Sequence, residues 1–233
     1  MNGVYEFTGE TRTWSVDGKE IILKRIRCCR KFMCNLSVII DKGTLGGWIE
    51  SENNLKQNGW VADEAIVCGL AVVTDNAVVK QRAVVWGNAY VGGNAIIGGN
   101  ARIHGFCNIT GSAMVIDDGE VYEYANLRDH VMVYNKGKAG GCVYMSGDSK
   151  IHGQAQASGT TVLSGFAEMF DSAKASGGLD YDNKARVEIK GNARICGSAE
   201  LYGDVRVGDH YLIAGVTRLY SGNFLKGNDK IFS

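Results

Sequence analysis

The stretch Gly87-Asn-Ala-Tyr-Val-Gly-Gly-Asn-Ala-Ile-Ile-Gly-Gly-Asn-Ala-Arg-Ile103 contains one six-residue unit in three successive copies. Each unit joins a Gly-Asn pair to an alanine, and an aliphatic residue follows two positions after the alanine. Thirteen alanines keep this register between Ala65 and Ala185, and apolar residues from Val67 to Val187 accompany them. Self-similarity at a fixed short period is typical of a solenoid.

The hexad predicts a short strand followed by a corner. Glycine and asparagine tolerate the positive φ of a tight turn, and alanine is small enough for the inside of a corner. The aliphatic residue points to the same side as the alanine because side chains alternate along a strand. The inward position holds only alanine at Ala139, Ala157 and Ala175, which follow one another at intervals of three hexads. Three hexads therefore close one triangular coil.

The predicted organisation is a solenoid between two caps. Residues 1–59 break the repeat and form a β-rich cap, residues 60–210 form the β-helix, and residues 211–233 form a short C-terminal cap. The open ends of a solenoid are strand edges, which need covers. Near Val187 the hexad register slips by two residues, and we attribute the slip to a bulge or small loop. The prediction is an all-β parallel β-helix of about seven to eight coils.

Composition narrows the function classes. The 25 basic and 25 acidic residues give a net charge of zero, which argues against nucleic acid and acidic membranes as partners. The chain has neither a long apolar run nor the pattern of a signal peptide. Its seven cysteines include no Cys-x-x-Cys pair, which favours reduced thiols. We therefore expect a cytoplasmic protein.

Two features resemble known proteins. The Gly-Asn-Ala-x-Val repeats are similar to the left-handed parallel β-helix of hexapeptide-repeat acyltransferases, and the left hand is what this resemblance implies. The segment Gly43-Thr-Leu-Gly-Gly-Trp-Ile-Glu-Ser-Glu-Asn-Asn-Leu55 resembles the motif that precedes the repeat in YdcK-like proteins. Those proteins occur in enterobacteria, and similar chains are common in phages and prophages. The resemblance implies a solenoid scaffold without an established activity.

The candidate catalytic residues are two histidines. A hexapeptide acyltransferase deprotonates its acceptor with a histidine beside a cleft between subunits. His104 and His152 each follow an inward isoleucine, so both should face outward, and acyl-CoA would be the cosubstrate. An unbroken register from Ala65 to Ala185 leaves no loop to shape an acceptor pocket. The chain also lacks the proline typical of the acetyltransferase C-terminal coil. The sequence therefore favours a non-catalytic protein without a cofactor.

No metal site is predicted. A zinc ion needs three or four ligands that converge on it. The chain has only four histidines, and none falls at a spacing that gathers ligands on one corner of the predicted coil.

Outward positions that carry apolar and aromatic residues predict an interface, because such residues concentrate where proteins meet. One set, found by counting in steps of one coil, is Met114, Ile116, Met132, Tyr134, His152 and Phe170. A second set is Trp86 and Tyr122, with His104 between them. We expect a homo-oligomer, with a trimer favoured by analogy with related prisms and the first set in the contact. The alternative is that the terminal segments cover these residues within one chain.

The leading hypothesis is a non-catalytic binding or scaffold protein, encoded by a phage or prophage, that presents one face of the β-helix to a protein partner. The partner would be a second copy of the chain or a host protein. One alternative is a hexapeptide-repeat acyltransferase that uses a surface histidine at a subunit boundary. The other, which only the resemblance to YdcK-like and phage proteins implies, is a phage inhibitor of a host defence factor.

Overall fold

The computed structural model describes residues 3–35, 38–178 and 185–232. Its strands form three long sheets and one short hairpin, and the coil strands within each long sheet run parallel. Val84 pairs with Arg102 and Val85 with Ile103, so each residue meets the one that stands three hexads later. The three sheets are therefore the three faces of a coil of three hexads, and the all-β parallel β-helix is confirmed.

The first face begins with a long antiparallel hairpin, Tyr5–Val16 paired with Lys19–Cys28. The coil strands that the structure describes on this face are Leu45–Ile49, Ile66–Val67, Val84–Val85, Arg102–Ile103, Glu120–Val121, Lys138–Ala139, Gln156–Ser158, Lys174–Ser176, Glu200–Tyr202 and Arg218–Leu219.

Within the described residues the second face has nine strands, and each contributes one inward side chain or two to the core. They are Val72–Val73, Tyr90–Val91, Asn108–Ile109, Asn126–Leu127, Tyr144–Met145, Thr161–Leu163, Val187–Ile189, Val205–Val207 and Asn223–Leu225. A 3₁₀ helix, Glu52–Asn54, precedes them. The buried Asn54 amide ties this helix to the first corner by donating to the carbonyls of Gly69 and Ala71 at 3.0 and 2.9 Å.

The third face carries the candidate site and has ten strands in the part of the chain that the structure describes. They are Trp60–Val61, Val78–Val79, Ile96–Ile97, Met114–Val115, Met132–Val133, Lys150–Ile151, Glu168–Met169, Arg194–Ile195, Leu212–Ala214 and Lys230–Phe232. A short hairpin, Phe32–Cys34 paired with Val38–Ile40, lies at the start of this face. Phe32 meets Trp60 there edge to face, with ring centroids 5.8 Å apart.

The core is a single stack of inward side chains. The aliphatic residues two positions after each corner alanine are fully buried, as at Val85 and Ile103, and each such burial contributes about 1.5–3 kcal/mol relative to exposure. The column of inward alanines also forms as predicted, since Ala139 pairs with Ala157 and Ala157 with Ala175.

The number of coils is larger than predicted. Among the described residues, the first and third faces each contain ten coil strands. The solenoid therefore has about ten turns, whereas the hexad pattern indicated seven to eight. Trp48 already pairs with Ile66 as a coil strand, although it lies in the segment predicted as a cap. The strands from Leu212 to Phe232 likewise continue the sheets in place of a separate C-terminal cap. These coils lack the alanine signature, so the repeat does not reveal them.

The irregularity near Val187 is larger than the predicted bulge or small loop. Residues that pair in neighbouring coils are normally three hexads apart, but Glu188, the partner of Val162, lies eight residues farther along the chain. These eight extra residues form an insertion between two faces. Eight is one hexad plus two, and hexad counting therefore reports only the slip of two. The insertion closes where Gly178 N–H donates to the Ala185 carbonyl at 2.6 Å. Residues 179–184, on which the predicted register also relied, lie outside the described residues.

The two N-terminal hairpins cover different faces. Against the first face, the long hairpin buries Leu23 together with Trp48 and Trp86. Trp86 Nε1 also donates to Asp17 Oδ2 at 3.0 Å. The apolar outward residues of the earliest coils on the first face are therefore covered within one chain.

Candidate functional site

A groove of about 600 Å³ runs along the third face, parallel to the axis of the solenoid. We call it the methionine groove; its lining residues are Asn35, Asn94, Ile96, Ser112, Met114, His130, Met132, Asp148, Lys150, Phe166 and Glu168.

The floor of the methionine groove is apolar because outward side chains of successive coils stand on one line. Ile96 pairs with Met114, and Met114 pairs with Met132. All three are half-buried. Methionine is flexible and polarisable, and it suits surfaces that adapt to a partner.

The wall of the groove is a second line of residues, at the corner before each strand. Asn94, Ser112, His130, Asp148 and Phe166 follow one another at intervals of three hexads. Most of these side chains are polar, and His130 Nδ1 lies 3.9 Å from Asp148 Oδ1. Phe166 is an exception, being apolar and 63% exposed. The groove thus has an apolar floor with a largely polar rim.

The ends of the groove differ. At one end the short hairpin closes it, where Asn35 N–H donates to the Asn76 carbonyl at 2.9 Å and the Asn35 amide donates to the Asn94 carbonyl. At the other end the outward line turns from apolar to charged at Lys150 and Glu168, which pair in register. The apolar floor is therefore limited to three coils.

An aromatic edge adjoins the groove on its other side, after the third-face strands. The rings of Tyr134 and His152 stack with centroids 4.6 Å apart, and those of His152 and Phe170 with centroids 5.3 Å apart. Both distances are close to the spacing of about 4.8 Å between strands, so the coil geometry itself stacks the rings. Ile116 precedes Tyr134 on the same line.

His152 is held by a carboxylate. His152 Nε2 lies 3.0 Å from Glu168 Oε1, and Arg194 Nε donates to Glu168 Oε2 at 2.8 Å. Partial burial acts to raise the pKa of Glu168, but hydrogen bonds from His152 and Arg194, with their charges, outweigh it and lower the pKa below its ordinary value. Burial, with the charges of Glu168 and Asp117, raises the pKa of Tyr134.

The same constellation recurs on another edge, after the first-face strands. The His104 ring stacks between Trp86 at 4.4 Å and Tyr122 at 5.6 Å. His104 Nε2 lies 3.4 Å from Glu120 Oε1, and Lys138 Nζ lies 2.7 Å from Glu120 Oε2. Each histidine therefore meets a glutamate that belongs to the next coil.

The structure brings together some of the residues expected at an interface and separates others. Met114 and Met132 lie in the groove, and Ile116, Tyr134, His152 and Phe170 line the adjoining edge. Trp86 and Tyr122 belong to the other edge, and Trp86 is buried under the long hairpin with 6% of its surface exposed. The polar wall of the groove was missed, although counting in steps of one coil from Asn94 would have found it.

The chemistry of the described residues is limited in other respects. They contain no group of three or more histidine, cysteine or acidic side chains that could hold a metal ion. All seven cysteines have free thiols. Burial raises the pKa of the Cys107 thiol to about 12, so this cysteine is a poor nucleophile. In the same residues, no helix has the length and apolar character to cross a membrane.

No protein-family model matches this chain, and no curated protein matches it.

Proposed function

We propose that this protein is a non-catalytic binding protein that holds a protein surface in the methionine groove and along the adjoining aromatic edge. The observation that carries the proposal is the half-exposed floor of Ile96, Met114 and Met132. Contiguous apolar side chains with a polar rim are typical of protein–protein contacts.

The chain itself supplies a precedent for such a contact. The same outward line begins with Trp60 and Val78, which are 1% and 4% exposed. Phe32 of the short hairpin packs against Trp60. Beyond Asn35 the line keeps its apolar character but loses this intramolecular cover. A partner that continues the cover would bury the rest of the floor.

We take a second copy of the chain as the first partner, and a trimer as the assembly to test. The wall and floor from Asn94 to Glu168 span five coils, or about 20 Å along the axis at the strand spacing, which suits a contact between folded chains. The resemblance of residues 43–55 to YdcK-like proteins supports a phage or prophage origin, and a host protein as a further partner.

The test is the mass of the protein in solution, by light scattering. The wild-type chain is expected at a multiple of its 25.1 kDa mass. Met132→Glu buries a charge in the contact and should return the mass to that of one chain. Asn126→Glu is the matched control, because Asn126 has the same outward, half-buried position on a strand of the second face, and it should leave the mass unchanged.

Two results would contradict the proposal. One is a wild-type chain that stays at 25.1 kDa at all concentrations and captures the same lysate proteins as Met132→Glu. The other is an assembly that both glutamate variants weaken equally, which would show no preference for the third face.

Acyl transfer is the second candidate, and the 3.0 Å contact between His152 and Glu168 favours it. A carboxylate that orients a histidine is a common arrangement for a general base. The eight-residue insertion also removes one argument against an acceptor pocket. However, the insertion begins after Ser176, on the same edge as His104 but four coils away from it. His152 lies on a different edge. Both faces of the His152 ring are covered by other rings, and His152 does not line the groove.

A thermal-shift titration with acetyl-CoA separates the two candidates. A binding protein that works through the methionine groove should not respond to acetyl-CoA. A clear stabilisation in the wild-type chain that is lost in His152→Gln would favour the transferase instead.

A further inference from the structure

A second cavity, of about 520 Å³, lies on the second face near its last strand. This volume falls within the range of small-molecule sites. The cavity lies on a different face from the methionine groove and shares no lining residue with it. Its lining is Glu188, Lys190, Gly191, Arg206, Val207, Gly208, Asp209, Phe224, Leu225 and Lys226.

Gly208 leaves a space that no protein atom fills. A Cβ built on Gly208 would meet nothing closer than 4.0 Å, where the Leu225 carbonyl and Lys226 Cγ lie, and its φ is not in the left-handed region. Gly140, at the same hexad position on the first face, is different, because the Tyr122 ring occupies the space beside it. The backbone therefore does not require glycine at 208, and the gap above it is open to a ligand.

Two lysines flank this gap. Lys190, Gly208 and Lys226 stand on one line at intervals of one coil, so the lysine Cα atoms are about 10 Å apart at the spacing of two strands. A lysine side chain is a flexible stem with a charge at its tip. Both ammonium groups can therefore reach one anionic group that lies over Gly208.

Positive charge exceeds negative charge around the gap. Lys190 and Arg186 share the single carboxylate of Glu188, and Lys226 forms no ion pair within the described ranges. Partial burial acts to raise the pKa of Glu188, but a hydrogen bond from Lys190 and the charges of Lys190, Arg186 and Arg206 outweigh it and lower the pKa. The carboxylate is therefore compensated by more than one cation.

The remaining acidic residue of the lining is also engaged. Asp209 Oδ2 accepts the N–H of Gly227 at 3.1 Å, so its carboxylate is directed to the next corner of the backbone. It still contributes a negative charge. With Arg186, which pairs with Glu188, and Asp204, whose Oδ1 lies 3.4 Å from Arg206 Nε, four cationic side chains stand against three carboxylates.

The ring of Phe224 forms the wall of the cavity at the end of the second face. Phe224 is 58% exposed and belongs to the last strand of the second face, so no further strand of the described chain covers it. The Arg206 guanidinium lies 5.0 Å from the ring centroid, on the side of the preceding strand. A flat ring would lie against the free face of Phe224, because Arg206 occupies the other face.

We propose that this cavity binds a phosphate monoester that carries a flat ring, as in a nucleoside monophosphate. The phosphate lies over Gly208 between Lys190 and Lys226, because a dianion matches two point charges. The ring lies against Phe224, where aromatic stacking adds affinity without selecting one base.

Calorimetric titration with adenosine monophosphate tests the site, since this probe contains both chemical groups. The wild-type chain should bind it, and both adenosine and inorganic phosphate should bind at least about tenfold more weakly. Gly208→Leu fills the gap without changing charge and should weaken binding by about tenfold or more. Lys226→Gln should do the same, and Lys226 is exposed, so its replacement does not disturb the fold.

Thr110→Leu is the matched control, because Thr110 holds the position of Gly208 on an earlier strand of the same face and does not line the cavity. It should bind the probe as the wild-type chain does. The proposal is overturned if the wild-type chain does not bind at millimolar probe, if Lys226→Gln binds unchanged, or if inorganic phosphate binds as tightly as the nucleotide. None of these results depends on the methionine groove.

Discussion

At the scale of single residues, acidic side chains at the corners tie neighbouring coils together. Asp75 has a φ of 56°, and its Oδ2 accepts the N–H of Gly93 in the next coil at 2.7 Å. Aspartate tolerates this left-handed conformation better than most residues. The same bond recurs from Asp63 to Gln81, Asp117 to Asn135, Asp129 to Gly147, Asp171 to Gly197 and Asp209 to Gly227.

We predict an order of stability for substitutions at Asp75. Asp75→Gly loses the hydrogen bond but relaxes the backbone, and should cost about 1 kcal/mol. Asp75→Ala loses the bond and also places a Cβ in the left-handed region, which adds about 1 kcal/mol. Asp75→Asn keeps both an acceptor and the backbone tolerance. Urea midpoints should fall in the order wild type, Asn, Gly, Ala, and an alanine variant more stable than the glycine variant would contradict this account.

The contacts of Glu168 with His152 and Arg194 predict that the stability of the protein depends on pH. The folded-state pKa of Glu168 is lowered from its ordinary value of 4.5, so its stabilisation is present above that value and is lost as pH falls through the folded pKa. The melting temperature of Glu168→Gln should therefore be lower than that of the wild type at pH 7. This difference in melting temperature should narrow as the pH falls below 4.5. Glu10→Gln, at an exposed position, is the control. Its melting temperature should equal that of the wild type both at pH 7 and below pH 4.5. A Glu168→Gln gap that widens in acid would contradict the prediction.

At the scale of elements, the two N-terminal hairpins decide which parts of the faces stay exposed. The long hairpin protects the first face around Trp86, and the short hairpin protects the third face as far as Asn35. The contact between Trp86 and Asp17 joins residues that are distant in sequence. Because the hairpins are held by such distant contacts, their attachment can be weakened separately from the coils.

Trp86→Phe should loosen the long hairpin alone. It removes the indole N–H bond to Asp17 and part of the buried indole surface, which together should cost about 1–3 kcal/mol. Amide exchange should accelerate in Lys19–Cys28 and stay unchanged in the coil strands beyond Ile103. Tyr122→Phe, two coils along the same line, is the control and should leave the hairpin protected. Uniform acceleration throughout the chain would contradict the separate attachment of the hairpin.

The sequence was sufficient for the coil but not for its ends. The column of Ala139, Ala157 and Ala175 predicts three faces because it records which side chains point inward. Strands such as Leu45–Ile49 and Leu212–Ala214 lack the alanine corner, so only their pairing identifies them as coil strands. The methionine groove was predictable only in part. Its floor follows from counting in steps of one coil, but its closed end depends on where the short hairpin packs.

At the scale of the whole molecule, the three faces carry different chemistry on one rigid body. The first face continues beyond Trp86 with outward charges at Arg102, Glu120 and Lys138. The second face ends at the cavity over Gly208. The third face presents the methionine groove. A solenoid keeps such surfaces in fixed register because each coil packs only on its neighbours, which suits the proposed binding function.

Photo-cross-linking from the floor of the groove tests the central claim most directly. Benzoylphenylalanine at position 132, in place of Met132, should give a covalent species of twice the 25.1 kDa chain mass on irradiation of the purified protein. The same label in place of Asn126 on the second face should give none. Cross-links from position 126 with none from position 132 would contradict the assignment of the methionine groove as the docking surface.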